Sequence, residues 1–240
     1  MHASALHIVL IGPPGAGKST VGQALSALAA VTVISTGVIL RAEIQTGSAL
    51  GQEIARRIDA GDFVTDAMIH HVLVTQFATL DPAVGIVLDG YPRNLAQAAA
   101  LPDVLGRFNR SIDAVILLDI PDEVVLSRLG GRRMCVTPTE TYPVHLSDPV
   151  SLAACSAQHG VLTIRPDDAP DIIAHRLEVY HRTTAPLIAY YEQQGLLHRV
   201  DAREEPEAVA RAILAVASNR VHPPLLSPTI AEDSPRKGLV

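Results

Sequence analysis

Eight consecutive residues constrain this chain more than anything else in it. Gly12-Pro13-Pro14-Gly15-Ala16-Gly17-Lys18-Ser19 fits the pattern G-x-x-x-x-G-K-[ST]. An apolar run at residues 7–11 precedes it, and Val21, Ala24, Leu25 and Leu28 follow as one stripe at three- and four-residue spacing. That order predicts a strand, a tight loop and an amphipathic helix. The glycines let backbone N–H groups turn inward and the helix N-terminus adds a favourable dipole, so the loop becomes a cradle for phosphate oxygens. Within it Lys18 is expected to bridge β- and γ-phosphates, and the Ser19 hydroxyl to reach Mg2+. A plain Gly/Pro-rich turn is the competing explanation, and the strand–motif–helix context sets it aside.

The rest of the chain repeats the alternation. Residues 31–34, 85–89, 114–119 and 196–200 are further short apolar runs. Their Val/Ile/Leu content without polar alternation suits parallel strands covered on both faces. Residues 171–191 predict a long helix, with Ile172, Leu177, Tyr180, Leu187 and Tyr191 as core contacts and a kink at Pro186. The expected fold is therefore α/β, a doubly wound parallel five-stranded sheet. Two pieces interrupt it. Residues 36–65 are helical but add no strand, and residues 130–165 show little helical periodicity, as a small separate lobe would. The expected division is a core of 1–35, 66–127 and 166–217, a helical insertion at 36–65, a lobe at 128–165, and a Pro/Ser-rich tail at 218–240 expected to be disordered.

Composition narrows what the cradle serves. The net charge is −6, with 17 Arg, only two Lys and no long basic run. Sequence-independent nucleic-acid binding, which rests on broad phosphate neutralisation, is not expected. With 3% aromatics and no Trp, stacking platforms for single strands are not expected either. The run Ile8-Val9-Leu10-Ile11 falls far short of the roughly 20 residues of a membrane span. No basic segment precedes it, so it does not read as a signal peptide, and a cytoplasmic location is expected. In a reducing compartment Cys135 and Cys155 are expected to remain thiols. His7, His70, His71 and His181 show no metal-ligand spacing.

Ile34-Ser35-Thr36-Gly37 follows the second run and opens a helix carrying Arg41; Leu88-Asp89-Gly90-Tyr91-Pro92-Arg93 follows the third, with Gln97 one turn on. Both lie at C-terminal ends of predicted parallel strands, where open α/β sheets hold their ligands, so Arg41 and Arg93 are expected to face a second anion. Arg128, Arg132 and Arg133 then arrive together, and Arg165 and Arg176 bracket the far side of the lobe.

In order and spacing, these pieces resemble the adenylate kinase family, within the nucleoside monophosphate kinases. The resemblance also takes in Gly61-Asp62-Phe63-Val64-Thr65-Asp66, Tyr142, Arg165-Pro166-Asp167-Asp168 and Ala185-Pro186-Leu187, and runs from residue 7 to about 216. The interval from Arg132 to Arg165 matches the long-lid bacterial form. The resemblance implies a P-loop core with a nucleotide-binding flap at 36–65 and a lid at 128–165. It implies the Mg2+-dependent reaction ATP + AMP ⇌ 2 ADP. By that resemblance the cradle from Gly15, Ala16, Gly17 and Lys18 to Ser19 and Thr20 holds the ATP phosphates; Arg128, Thr141 and Tyr142 meet the ATP base. Thr36, Arg41, Asp62, Phe63, Val64, Gly90, Tyr91, Pro92, Arg93 and Gln97 form the AMP pocket, with Gln97 reading the adenine edge. Lys18, Arg93, Arg132, Arg165 and Arg176 act on the transferring phosphoryl group, the last two also touching AMP. Asp89 and Ser19 serve Mg2+, partly through water. A monomer is expected.

The chemistry suits this cast. A phosphate acceptor is already anionic at pH 7, so no general base is required; positioning and charge neutralisation remain, and a lid keeps water from the phosphoryl group. Two departures stand out. Val38 occupies the place of a family Asp that organises the Mg2+ water shell, so activity is expected to be present but reduced; Ser19 stands where the family often has Gly, and its hydroxyl is able to contact Mg2+. In the lid, Cys135 and Cys155 take the first place of each zinc-ligand pair, but Pro138 and Gln158 take the second. A tetrahedral site would need His145 or His159, so structural zinc is not expected. The alternatives are a kinase for another nucleoside monophosphate, or a nucleotide-binding regulatory paralogue with weak turnover, which Val38 alone supports. A shikimate- or gluconate-type kinase would need neither Arg93-x-x-x-Gln97 nor this lid.

Overall fold

In the computed structural model, residues 5–60, 62 and 64–218 are described. Strands β1 (His7–Ile11), β2 (Val31–Ser35), β3 (Gly85–Asp89), β4 (Ala114–Asp119) and β8 (Leu197–Asp201) form one sheet in the order β2-β3-β1-β4-β8, every pairing parallel. The expectation of a five-stranded parallel sheet therefore holds. Each strand has two faces, so alternate residues feed opposite cores. Ile8, Leu10, Val87 and Ile116 pack on α1 (Lys18–Leu28) and α10 (Pro206–Ser218). Val9, Ile11, Ile86, Leu88 and Leu117 pack on α4 (Asp66–Ala78), α5 (Leu95–Gly106) and α9 (Pro186–Gln193). Burying both faces is what removes polar alternation from these runs.

The order reverses at β1. Its chain leaves toward β2, whereas β3 and β4 flank it on opposite sides. Such a switch point opens a crevice beyond the strand ends, and the glycine loop is what fills it. Between β2 and α4 lie α2 (Thr36–Gln45) and α3 (Ala49–Asp59), which add no strand. The predicted stripe of α1 ends early: Val21 and Leu25 are buried, but Leu28 is exposed in the last turn.

Residues after α6 (Asp122–Gly131) are more regular than their sequence suggests. Strands β5 (Arg132–Val136), β6 (Thr141–His145) and β7 (Val161–Thr163) form a separate antiparallel sheet, β6-β5-β7, covered by α7 (Pro149–Ala157). Within residues 130–165, expected to show little helical periodicity, Asp148-Pro149 is a helix start. Asp148 accepts hydrogen bonds from Val150 N and Ser151 N, and Pro149 opens the helix, where its missing N–H costs nothing.

The expectation of free thiols is overturned: Cys135 and Cys155 form a disulfide. Cys135 is central in β5 and Cys155 lies in the last turn of α7, and the packing brings their Cα atoms to 5.9 Å, within bridging range. Gly160 makes this possible, because a Cβ there would collide with both sulfurs.

The long helix at 171–191 is also corrected. It breaks into α8 (Pro170–Val179), a π-helical turn (Tyr180–Thr184) and α9. Pro186, unable to donate, opens α9 instead of bending a continuous helix, and Ala185 N reaches back to Tyr180 O at 2.9 Å. Ile173 takes the core place expected of Ile172, which is only half-buried. Of the tail expected at residues 218–240, Ser218 is instead the last residue of α10 and residues 219–240 lie outside the described residues; no helix among those described is long and apolar enough to cross a membrane.

Candidate active site

β1 delivers the chain to the crevice at Ile11, and the loop turns there through Gly15 (φ 76°) and Gly17 (φ 88°), conformations a side chain would strain. Helix α1 then starts without a side-chain cap and with no acidic residue in its first turn. Its N–H groups and dipole therefore remain available to an anion. The Lys18 ammonium folds over the loop and donates to Gly12 O and Pro13 O, both at 2.8 Å. Burial pushes its pKa down to about 8; Asp89 resists, while Arg93 and Arg176 add to the fall. Ser19 and Thr20 stay exposed at the rim.

Asp89 ends β3 and is 4% exposed. Its Oδ2 accepts from Ser19 Oγ at 2.5 Å and from Ser35 Oγ at 2.8 Å, so three neighbouring elements contribute hard oxygens to one corner. Val38, in the first turn of α2, is 58% exposed and offers no oxygen.

The next residues form a second recess, lined by Val64, Ile69, Gly90, Arg93 and Gln97. Thr36 is fully buried and donates to Gly90 O at 3.0 Å. Gly90 has φ 85°, and a Cβ there would strike Thr36 and Arg93. The cis Tyr91–Pro92 bond follows, with Tyr91 in the core below. Arg93 Nε donates to Gly90 O at 2.8 Å, and the Arg93 carbonyl accepts from Thr184 Oγ1 at 2.8 Å. Burial draws the Arg93 guanidinium down to about 10, against Asp89 and together with Arg176 and Arg41. The Arg41 guanidinium lies over Gly37, 3.1 Å from where a Cβ would stand. Asp62 pairs with His175 on α8 at 2.9 Å and does not line the recess. Phe63 lies outside the described residues.

Three further arginines are linked electrostatically to Lys18, Arg41 and Arg93. Arg132 grips Asp168 at two points, Nε to Oδ2 at 2.7 Å and an Nη to Oδ1 at 2.5 Å. Arg176 donates to the Asp167 carbonyl at 2.8 Å and carboxylate at 3.0 Å. Arg165 Nε lies 3.0 Å from Met134 Sδ. Burial lowers the Arg165 pKa, and Arg132 and Arg41 lower it further. The same three influences lower Arg176, against Asp167 and Asp168. Lys18, Arg41, Arg93, Arg132, Arg165 and Arg176 are thus linked electrostatically, each to at least two of the others, with Asp89, Asp167 and Asp168 as partial compensation. Half-buried like charges of this kind are poised for a polyanion.

The residues assigned to the ATP base are spread further. Arg128 donates to Ala202 O at 2.9 Å and lines an open cleft of about 500 Å3 with Glu123, Val124, Ser127, His145 and Ser147. Thr141 and Tyr142 do not line it; the Tyr142 hydroxyl donates to Gln158 at 3.1 Å, and its ring packs beside the disulfide. Sequence reasoning left Ser35, Thr184 and the pair Asp167–Asp168 without a role. The acidic doublet that follows Arg165-Pro166 was the available signal, since arginines drawn partly out of water need carboxylates.

A family model described as "Adenylate kinase" matches residues 10–196. Among curated relatives, the adenylate kinase of Lachnospira eligens is 37% identical over 211 residues, covering 88% of this chain and 99% of that protein. That of Nitrosococcus oceani is 39% identical over 209 residues, covering 87% and 96%. That of Geobacter sulfurreducens is 38% identical over 214 residues, covering 89% and 99%.

Proposed function

Because this chain belongs to the adenylate kinase family, we propose that it transfers the γ-phosphoryl group of ATP reversibly to AMP, giving two ADP. The chain is a nucleoside monophosphate kinase, a phosphotransferase with a phosphate acceptor. One observation carries the assignment of roles: Lys18 of the cradle and Arg93 of the recess belong to one electrostatically linked group of half-buried cations.

In this reading the cradle amides and Lys18 hold the β- and γ-phosphates of ATP. Lys18 exchanges its contacts to Gly12 O and Pro13 O for phosphate oxygens. Arg41 and Arg93 hold the AMP phosphate. Arg132, Arg165 and Arg176 then meet the charge that spreads over the equatorial oxygens in transfer, and Asp167 and Asp168 keep two of these guanidiniums aimed beforehand. No side chain needs to remove a proton. Arg128, Thr141 and Tyr142 are assigned to the ATP base, and closing the lobe over it before transfer would keep water from the phosphoryl group.

The donor set suits magnesium, because Ser19 Oγ and Asp89 Oδ2 are adjacent hard oxygens. Ser19 and Asp89 would hold the ion, partly through water, and when bound it would neutralise phosphate charge. A cytoplasmic monomer is part of the same proposal. Burial of both sulfurs, with Cys135 fully buried and Cys155 at 2%, would slow their reduction there.

The test is direct. Purified protein is given Mg-ATP with AMP, CMP, UMP or GMP, and diphosphate is measured, with Lys18→Ala as control. ADP from AMP alone, abolished in the control, is the expected result. Tight ATP binding with no diphosphate from any acceptor overturns the proposal.

A further inference from the structure

Gln97 lines the recess and is 5% exposed, and its two amide ends have different partners. Oε1 accepts from the Arg93 backbone N–H at 2.7 Å, and Nε2 donates to Asp66 Oδ1 at 2.6 Å. A carboxamide can in principle turn over, exchanging its donor and acceptor ends. Here it cannot do so cheaply. The Arg93 N–H only donates and the Asp66 carboxylate only accepts, so the flipped amide would face donor with donor and acceptor with acceptor. Two hydrogen bonds would be lost, one of them to a charged group.

Asp66 is itself held in place. It is the first residue of α4, after the Thr65 cap, and the same Oδ1 receives Asn94 Nδ2 at 3.3 Å. Asn94 Oδ1 in turn caps α5 by accepting from Gln97 N at 2.8 Å. The starts of two helices therefore converge on one side-chain amide.

Each end of that amide keeps one unused hydrogen-bonding position, a lone pair on Oε1 and an N–H on Nε2. We propose that Asp66 is a specificity-determining positioning residue: by locking the polarity of Gln97 it presents the recess with an acceptor beside a donor, in one order only. A 6-aminopurine matches that order, offering an exocyclic N–H beside a ring nitrogen acceptor. A 6-oxopurine reverses it, with a carbonyl beside a ring N–H. The discrimination therefore resides in the carboxylate behind Gln97 as much as in Gln97. This inference rests on the reading above, that the recess takes the base of the acceptor monophosphate.

The experiment compares AMP with IMP, which differ at this edge, in the wild-type enzyme and in Asp66→Asn and Asp66→Glu. An Asn side chain can donate as well as accept, so it no longer opposes the flipped Gln97 at that end, and only the Arg93 N–H still disfavours it. The expected result for Asp66→Asn is a fall of about tenfold or more in the AMP:IMP ratio of kcat/KM, the size expected when one hydrogen bond to a charged group is lost. The change should lie in KM for the monophosphate, with KM for ATP unmoved, and Asp66→Glu should restore part of the ratio. Circular dichroism and the melting midpoint establish that each variant is folded. Should Asp66→Asn fail to fold, Asp66→Glu and Asp66→Ser carry the same comparison. A folded variant lacking the Asp66 carboxylate with the wild-type ratio overturns the inference while leaving the kinase assignment intact. A wild-type enzyme that does not phosphorylate AMP overturns both.

Discussion

The guanidinium of Arg132 and the carboxylate of Asp168 meet in a two-point contact across the junction between the three-stranded lobe and the five-stranded sheet. The Asp168 side chain is 1% exposed, and Arg176 approaches the same carboxylate at 3.5 Å. Two arginines on separate elements are therefore aimed by one buried anion, and the lobe is tied to the core through a group assigned to catalysis.

Removing that anion should have a large effect. Asp168→Asn keeps the shape but leaves the half-buried guanidiniums of Arg132 and Arg176 underpaired, at a cost of about 1.5–3 kcal/mol for hydrogen bonds between charged groups. The expected outcome is a kcat at least about a hundredfold lower, the size of effect seen when one aimed donor is lost. The melting point should fall as well, with ATP affinity less affected. Steady-state kinetics beside calorimetric melting would show it, and wild-type kcat in the variant would refute the aiming role.

Lys18 predicts a proton linkage. Its pKa lies near 8 in the unliganded protein, against 10.5 for an unburied lysine. Between those values the unfolded chain binds more protons than the folded one, so this group makes unliganded stability rise with pH in that window. A bound polyanion favours the charged ammonium, so ATP binding near pH 8.5 should take up a fraction of a proton, and little from this group below about pH 7. Titration calorimetry in two buffers of different ionisation enthalpy measures the uptake. It should disappear in Lys18→Arg; equal uptake in that variant would assign it elsewhere.

Val38 and Ser19 predict opposite shifts in magnesium dependence. Val38 is exposed enough to accept a carboxylate without repacking. Val38→Asp should lower the Mg2+ concentration for half-maximal rate, and Ser19→Ala should raise it, each by roughly tenfold, as for other groups supporting a metal site. Unchanged Mg2+ dependence and turnover in Val38→Asp would show that this position has no part in the water shell.

The lobe should depend on its disulfide. Its buried apolar cluster consists of Cys135, Val144 and Cys155, with Tyr142 and Leu152 alongside, too little to hold three strands and a helix unaided. A bridge spanning 20 residues is worth about 3 kcal/mol by loop entropy. Reduction, or the double change Cys135→Ser and Cys155→Ser, should open residues 132–163 to limited proteolysis while the five-stranded sheet stays protected. Identical cleavage rates with and without reductant would contradict this.

What the sequence determined by itself was local. The cradle is eight adjacent residues whose glycines carry the required positive φ, and the strands are runs whose lack of alternation follows from burial on both faces. Those features repeat or adjoin along the chain, so spacing exposes them; helix breaks were less legible, because Pro186 ends a helix or bends it depending on neighbours far away. Tertiary structure decided the rest. Asp168 pairs with Arg132 across 36 positions, Asp66 with Gln97 across 31, and Cys135 with Cys155 across 20. No periodicity encodes such pairs. They exist because the parallel sheet returns each strand end to one crevice and the lobe folds a helix over its own hairpin, so a carboxylate or a thiol finds its partner only after the backbone has brought the two together.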